Sequence, residues 1–547
     1  MPAAGMSGRP AHILKFFPVV LLLKRFSAFL LAVCLVFTLC SCGSDKTADR
    51  AFQYRIEGRV SNLDPQLASD PDSILAAEHI FEGLFRLTES GSIVPGAVKD
   101  YAISDDSLTY TFTLREDLVW TNGKTKDKIE KPVTAADFAF GLRRALLPET
   151  AAPDAQKLFC IKNAEAVHSG GDASALGVTA PDEKTLVIEL GRPCENLTYL
   201  LTLPVSMPCN EDFFNSTKGK YGLEQDSILA NGMFCVNKFN SDYLKLSRNK
   251  QYHSVGDVVP SSVLITFGQT EPDIYKALIS GESDVAKLPS ARLDAAKKEG
   301  LTIQEWKDTS LSLVLNADSA ALQSASLRAA LAQDIDRDAI EQELYGTLSR
   351  SEGLIPPACE ENGTNYLEAS GGFLYAYDPV EAKISLNEAL GSEKLSGVTI
   401  IHEDIPELNA LVLSFVHVWQ IDLGVYINPE PLKKSELEKR VAEKNYQIAL
   451  LPLTSTDNSA TQLLSLFSAD GGRLAGTPSA AFSSQFREAM NSGSVSSIQR
   501  AEETLITEGY VIPICYDSSF YALSKDVVKL DLSPSGGRIH FRHARKN

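Results

Sequence analysis

The chain has 547 residues, 44% of them hydrophobic and 22% charged, with a formal net charge of −18 at pH 7. This length exceeds the usual limit of a single core, about 250–300 residues, so two or three domains are expected. The acidic balance disfavours nucleic acid and anionic membrane surfaces as partners and favours solubility, without saying what binds.

Taken in chain order, the first feature is an uncharged apolar run, Phe26–Leu39, behind Lys24 and Arg25. It ends in Leu39-Cys40-Ser41-Cys42-Gly43. A positive flank, a short apolar core and small residues at the cut are the marks of an export signal. The run is shorter than the about 20 residues of a membrane-spanning helix. Leu at −3, Ser at −1 and Cys at +1 read as a lipobox, with cleavage before Cys42 and a lipid on its thiol. Residues 1–41 are then a signal peptide and 42–52 a polar tether. An uncleaved anchor or a cut elsewhere is the alternative. Loss of the leader removes Arg9, Lys15, Lys24 and Arg25 and takes the charge to about −22. Six cysteines remain, Cys160, Cys194, Cys209, Cys235, Cys359 and Cys515. An even number in an exported chain permits up to three disulfides, and free buried thiols are equally open. No CxxC pair and no histidine at ligand spacing accompanies them, so no metal site and no cofactor is expected.

Structure is expected from Phe52, where FQYRIEGRV reads as a strand. A turn-rich loop, SNLDPQLASDPDS, precedes a helix over 74–87 with Ile80, Leu84 and Leu87 on one face. Leu108, Tyr110, Phe112 and Leu114 alternate as the inner face of a strand, and with Trp120 they are expected in the core. Asn122-Gly123 is a turn, 124–131 a charged loop, and Thr134 caps a helix through Phe138, Phe140 and Leu142. A β-rich stretch follows to about Phe267. Helices are predicted over 272–279, 327–344, 380–389, 405–421 and 499–505, with strands over 310–316, 398–402 and 447–453 between them. The class is mixed α/β with several lobes.

Gly96–Leu146 (GAVKDYAISDDSLTYTFTLREDLVWTNG…KPVTAADFAFGLRRAL) resembles the signature block of the peptide/nickel class of ABC-transporter solute-binding proteins, family 5. NLDPQ…EHIFEGLFRL, ALGVTAPDEKTLVIEL, ANGMFCVNKF, LKLSRNKQY, YKALISGESDV, LRAALAQDIDRDAI, WQIDLGVYI and GYVIPICY follow in the family's order over nearly the whole mature chain. The resemblance implies an α/β fold of the periplasmic-binding-protein-like type II (cluster C) kind, with two hinged lobes, an extra domain and a ligand cleft between the lobes. Residues 53–88, 214–309 and 510–547 would form the first lobe, 89–213 the extra domain and 310–509 the opposing lobe. The implied function is capture of oligopeptides or a related solute for an ABC permease and its ATPase, by a monomer lipid-anchored outside the cytoplasm.

Ligand recognition departs from the family pattern. Peptide-binding relatives carry a Trp and then an Asp for the peptide's amino terminus, where this chain reads YQIALLPLTSTDNSA. The Trp position falls on Leu453 and the Asp position on Thr456, with Asp457 one residue later. Asp457 either takes that role or caps the next helix. The resemblance offers Asn62, Leu63 and Asp64 at the cleft edge, Phe140 and Tyr516 as aromatic contacts, and Ser310, Leu311, Ser312 and Leu313 as strand partners for an extended peptide. Sugars and metal chelates are alternative ligands, and a sensor on the same fold is an alternative role. An enzyme is the rival class, yet GxSxG, HExxH, P-loop and SxxK signatures are all missing. His402-Glu403-Asp404 is the one tempting acid–base cluster, and a solvated turn is its plainer reading.

Overall fold

The computed structural model describes residues 51–547, except 89–91, 195, 343, 345, 392–394, 396, 456–457, 470–471, 473 and 533–538. The signal segment and Cys42 therefore lie outside the described residues. Two long strands organise the rest. Thr302–Leu315 and Val511–Leu523 run antiparallel beside each other along most of their length, at the centre of an eleven-stranded sheet. Val511–Leu523 is buried on both faces apart from Asp517 and Ser518, and so is the Ser310–Leu315 part of its neighbour, while Thr302–Thr309 is exposed or partly exposed.

Each long strand serves two groups of neighbours. Val285–Leu288 pairs with the Phe520–Leu523 end of Val511–Leu523. Phe52–Arg55, Ser262–Thr266, Tyr243–Arg248 and Phe234–Phe239 extend the sheet on that side. Ile448–Thr454 pairs with the Thr309–Leu315 end of the other long strand, followed by Thr399–Glu403 and Asn428–Leu432. The register of the long pair slips between Trp306 and Thr309, at the passage from one half to the other. A bulge there bends the strand and raises its local twist.

Residues 98–189 contribute a separate four-stranded sheet, Val98–Ile103, Thr109–Leu114, Thr185–Glu189 and Val178–Thr179. Its inward side chains, Tyr110, Phe112 and Leu114, are buried, as is Trp120. Their core is continuous with that of the first half of the large sheet, including Phe52, Ile265 and Phe541. The second half has its own apolar layers, one around Trp419 and Phe415 and one around Phe482 and Tyr366.

Two expected helices are cut short, one by a distant residue and one by a local cap. The first runs Pro71–Ile80, with Asp70 accepting from the Ser73 amide at 2.9 Å. At its end the Glu82 amide donates to Asn231 Oδ1 at 3.0 Å, and the chain continues into the strand Phe85–Leu87. A Cβ on Gly83 would lie 2.9 Å from the Leu201 carbonyl oxygen, so this approach needs glycine. The expected helix over 327–344 is instead Ala325–Gln333 and Arg337–Glu341, because Asp336 caps a new helix with bonds from the Asp338 and Ala339 amides. The stretch between 147 and 267, expected to be β-rich, also holds short helices such as Glu211–Ser216.

Candidate ligand-binding site

A cavity of about 900 Å³ opens between the two halves of the sheet. Phe52–Arg55 is parallel to Val285–Leu288, and Thr399–Glu403 is parallel to Ile448–Thr454 and Asn428–Leu432. The residues at or just beyond the carboxyl ends of these strands line the cavity: Ile56 and Gly58, Pro289, Ile405 and Lys434. Its floor is the long strand pair, through Thr309 and Asp517–Ser519. Open α/β sheets bind ligands beyond the carboxyl ends of their strands, because helix N-termini and free main-chain groups converge there. Here the helices Pro71–Ile80, Glu271–Ser280, Pro406–Asp422 and Lys434–Ala442 all begin at the cavity wall.

The charged lining is largely committed to internal partners. Glu271 holds Arg292 at 2.7 Å, Arg55 reaches Glu282 at 3.1 Å, and Asp517 accepts from the Thr347 hydroxyl at 2.7 Å. Asp72 differs, since its carboxylate accepts no hydrogen bond from the described residues while it lines the cavity. Burial, and then the charge of Asp70, push its carboxyl up to about 6, against the opposing pull of Lys287. A half-buried, unbonded carboxylate is suited to a cationic group.

The residues expected at the site fare differently. Asn62, Leu63 and Asp64 do not line the cavity. Leu63 is fully buried, Asn62 Oδ1 accepts from the Asp64 amide at 2.9 Å, and Asp64 is ion-paired with Arg144. Arg144 also lies over the Phe214 ring, 4.7 Å from its centroid. This loop joins the extra sheet's region to the first half and has no charge to spare. Phe140 packs on Phe214, with ring centroids 5.7 Å apart. Ser310, Leu311, Ser312 and Leu313 are buried and paired with Ile448–Thr454 on one side and Val511–Leu523 on the other. They are paired on both sides and offer no edge for an added strand; Thr309, the residue before them, lines the cavity. Leu453 is buried opposite Ser310. Tyr516 is buried, its hydroxyl accepting from the Gly353 amide at 2.9 Å.

Thr456 and Asp457 lie outside the described residues, but the helix Ala460–Ser465 is capped by Ser459, which accepts from the Gln462 amide at 3.1 Å. Among the described residues, Ser459 is the one that caps this helix. His402 is 1% exposed, its Nδ1 donating to the Glu403 carbonyl at 3.0 Å, and burial lowers its pKa. It is a buried strand residue, not a solvated turn. Sequence reasoning missed Asp72, although Asp70-Pro71-Asp72 opening a helix beyond a parallel strand was a usable signal.

Residues 92–474 match the family described as bacterial extracellular solute-binding proteins, family 5 Middle. The chain is 24% identical to the oligopeptide-binding protein OppA of Bacillus subtilis (strain 168), over 95% of this chain and 99% of that protein. Identity to the dipeptide-binding protein DppE of the same organism is also 24%, over 94% and 98%. The fold matches that of Listeria monocytogenes OppA bound to peptide, with a TM-score of 0.72 at 20% identity, over 92% of this chain and all of that one. The pheromone receptor PrgZ gives a TM-score of 0.73 at 22% identity, over 91% and 100%.

Proposed function

This chain belongs to family 5 of the bacterial extracellular solute-binding proteins, and we propose that it captures oligopeptides, or a related small solute, and delivers them to the permease and ATPase of an ABC importer. The observation that carries this reading is the cavity of about 900 Å³ set between two sheet halves that share two continuous strands. Such a pair is a hinge in physical terms: bending at the register slip moves one half against the other without breaking either core. A ligand that touches both walls binds the closed form better and shifts the equilibrium towards it. The permease reads the closed shape.

The division into a first lobe of 53–88, 214–309 and 510–547, an extra domain of 89–213 and an opposing lobe of 310–509 is part of the proposal. The two groups of strands around the long pair support it. The boundaries at 309 and 510 fall at or beside the long strands, which serve both lobes. A peptide's ammonium group, terminal or on a basic side chain, faces Asp72, with Asp457 as the second candidate. The role is one of binding and not of catalysis. Cleavage before Cys42 and lipidation of that residue would hold the protein outside the cytoplasm, as its monomeric form awaits ligand. Relatives named as periplasmic support the location.

The test is acid release of whatever the purified full chain carries, followed by mass spectrometry. A ladder of peptide masses is expected. A single non-peptide mass would overturn the peptide reading.

A further inference from the structure

We infer that Tyr54, Tyr521 and Asp72 form a seat for one primary ammonium group in the wall of the cavity, and that the two phenols select it over a methylated or acylated nitrogen. All three residues line that cavity. The sheet register sets the two tyrosines on one side. Tyr54 pairs with Val285 and Tyr521 with Lys287, and Val285 and Lys287 stand two apart on the strand between them. Residues paired across strands, or two apart along one, share a face. Trp306 packs against Tyr521, with ring centroids 5.4 Å apart. Asp72 comes from the first turn of the helix Pro71–Ile80, and a Cβ on Gly58, four residues past Tyr54, would lie 2.5 Å from its Oδ2. Glycine there keeps the carboxylate open to the cavity.

Tyr54 and Tyr521 are 7% and 6% exposed, yet neither hydroxyl has a hydrogen-bond partner among the described residues. Buried polar groups are seldom left so. Tyr252, Tyr366 and Tyr516, equally buried, each place theirs. Both cavity phenols stay neutral. Burial raises them, followed by Tyr521 and Asp72 at Tyr54 and by Asp308 and Asp72 at Tyr521. A primary ammonium brings three N–H donors. Asp72 supplies the opposite charge and one acceptor, and each phenol oxygen supplies another. Each phenol keeps its own proton for a carbonyl of the same ligand, which a peptide carries beside its amino terminus. Lys287 shares this face and forms no ion pair among the described residues, so it leaves Asp72 to the ligand. A trimethylammonium has no N–H to give and an acetylated nitrogen no charge, and either leaves phenol oxygens unpaired.

The seat's part in peptide capture rests on the proposed function, but its chemistry is testable without a peptide. The full chain in detergent, labelled at the tyrosine Cζ carbons, is refolded from denaturant to remove carried ligand. It is then titrated by NMR with n-butylammonium and with n-butyltrimethylammonium, and Tyr54→Phe and Tyr521→Phe assign the two resonances. Both resonances should shift with n-butylammonium and stay in place with n-butyltrimethylammonium. Equal shifts with both salts, or none with either, overturn the seat.

Calorimetry then compares tripeptides in three forms: lysine-free with a free amino terminus, the same N-acetylated, and N-acetylated with a lysine. Binding of the first form alone makes the terminal ammonium the occupant, and binding of the third makes it the lysine side chain. Equal affinity for the first two forms overturns the seat. Each Phe variant, and Gly58→Ala, which removes no polar group, should weaken the form that binds about 5–10-fold. Unchanged affinity in all three variants overturns the seat and leaves peptide capture standing. Tyrosine shifts with n-butylammonium but no binding of any tripeptide would overturn peptide capture and leave the seat.

Discussion

Glu82 and Glu502 are both buried, one in each half of the molecule, and their surroundings treat the same side chain in opposite ways. Glu82 accepts from the Tyr252 hydroxyl at 2.5 Å and from His253 at 3.1 Å, with Arg542 at 3.9 Å. Burial alone would raise its carboxyl, but the His253 and Arg542 contacts and the Tyr252 hydroxyl hold it below its ordinary value. Glu502 meets neutral donors: the Leu354 amide at 2.7 Å, the Ile355 amide at 3.2 Å and the Tyr366 hydroxyl. Burial wins there, and the carboxyl is pushed up to about 7. Hydrogen bonds satisfy a buried carboxylate's geometry, but a cation is needed to keep it ionised.

The largest effect should come from taking the charge out of the Glu82 cluster. Glu82→Gln leaves Arg542 buried without its anion and should cost about 3–5 kcal/mol at pH 7, read by urea unfolding. A cost below about 1 kcal/mol would break the contrast. The second test is pH. Glu502 has a folded pKa above the unfolded value of 4.5, so its contribution is full below pH 4.5 and is lost as pH rises through 7. Glu502→Gln should therefore gain on wild type between pH 5 and 8, by up to about 3 kcal/mol. Glu82 has a lowered pKa, so its contribution is present above 4.5 and is lost as pH falls further; the Glu82→Gln deficit should shrink in acid. Parallel pH profiles for the two variants would sink the distinction.

Asp334 extends the series to a carboxylate with no hydrogen-bond donor among the described residues. It is fully buried, neither oxygen meets a donor among the described residues, and burial and then Asp422 push its carboxyl up to about 7, against Lys383. Asp334→Asn should stabilise the protein by about 1–2 kcal/mol at pH 8 and by nothing at pH 3, measured by thermal unfolding. The smallest effect is at the cavity. Asp72→Asn should weaken binding of a lysine-containing peptide about 5–10-fold at pH 7, by titration calorimetry. Wild-type affinity should itself decline as pH falls from 7 to 5, because the Asp72 carboxyl protonates near 6. A flat profile would mean that the cation lies elsewhere.

Much of the architecture was legible locally. Alternation at Tyr110, Phe112 and Leu114 marked a half-buried strand, and Thr134 marked a capped helix start; both stand. One error arose from a local cap, Asp336, and another where a distant residue intervened. The helix over 74–87 stops early because Asn231 takes the Glu82 amide, and nothing within the helix signals it. The site was harder to read. Position in a family pattern put Asn62–Asp64 and Ser310–Leu313 at the cleft, while long-range pairing turned both inward.

By itself the sequence determined the α/β class, the family and the periodic faces of single elements, since these depend on neighbours within a few residues along the chain. The tertiary structure alone decided which carboxylates are free to meet a ligand. Asp64 and Asp72 stand eight positions apart in one short stretch, yet one meets Arg144, 80 residues away, and the other meets open space. Charge pairing acts across space and not along the chain, so their opposite roles are set only when the fold brings their surroundings together.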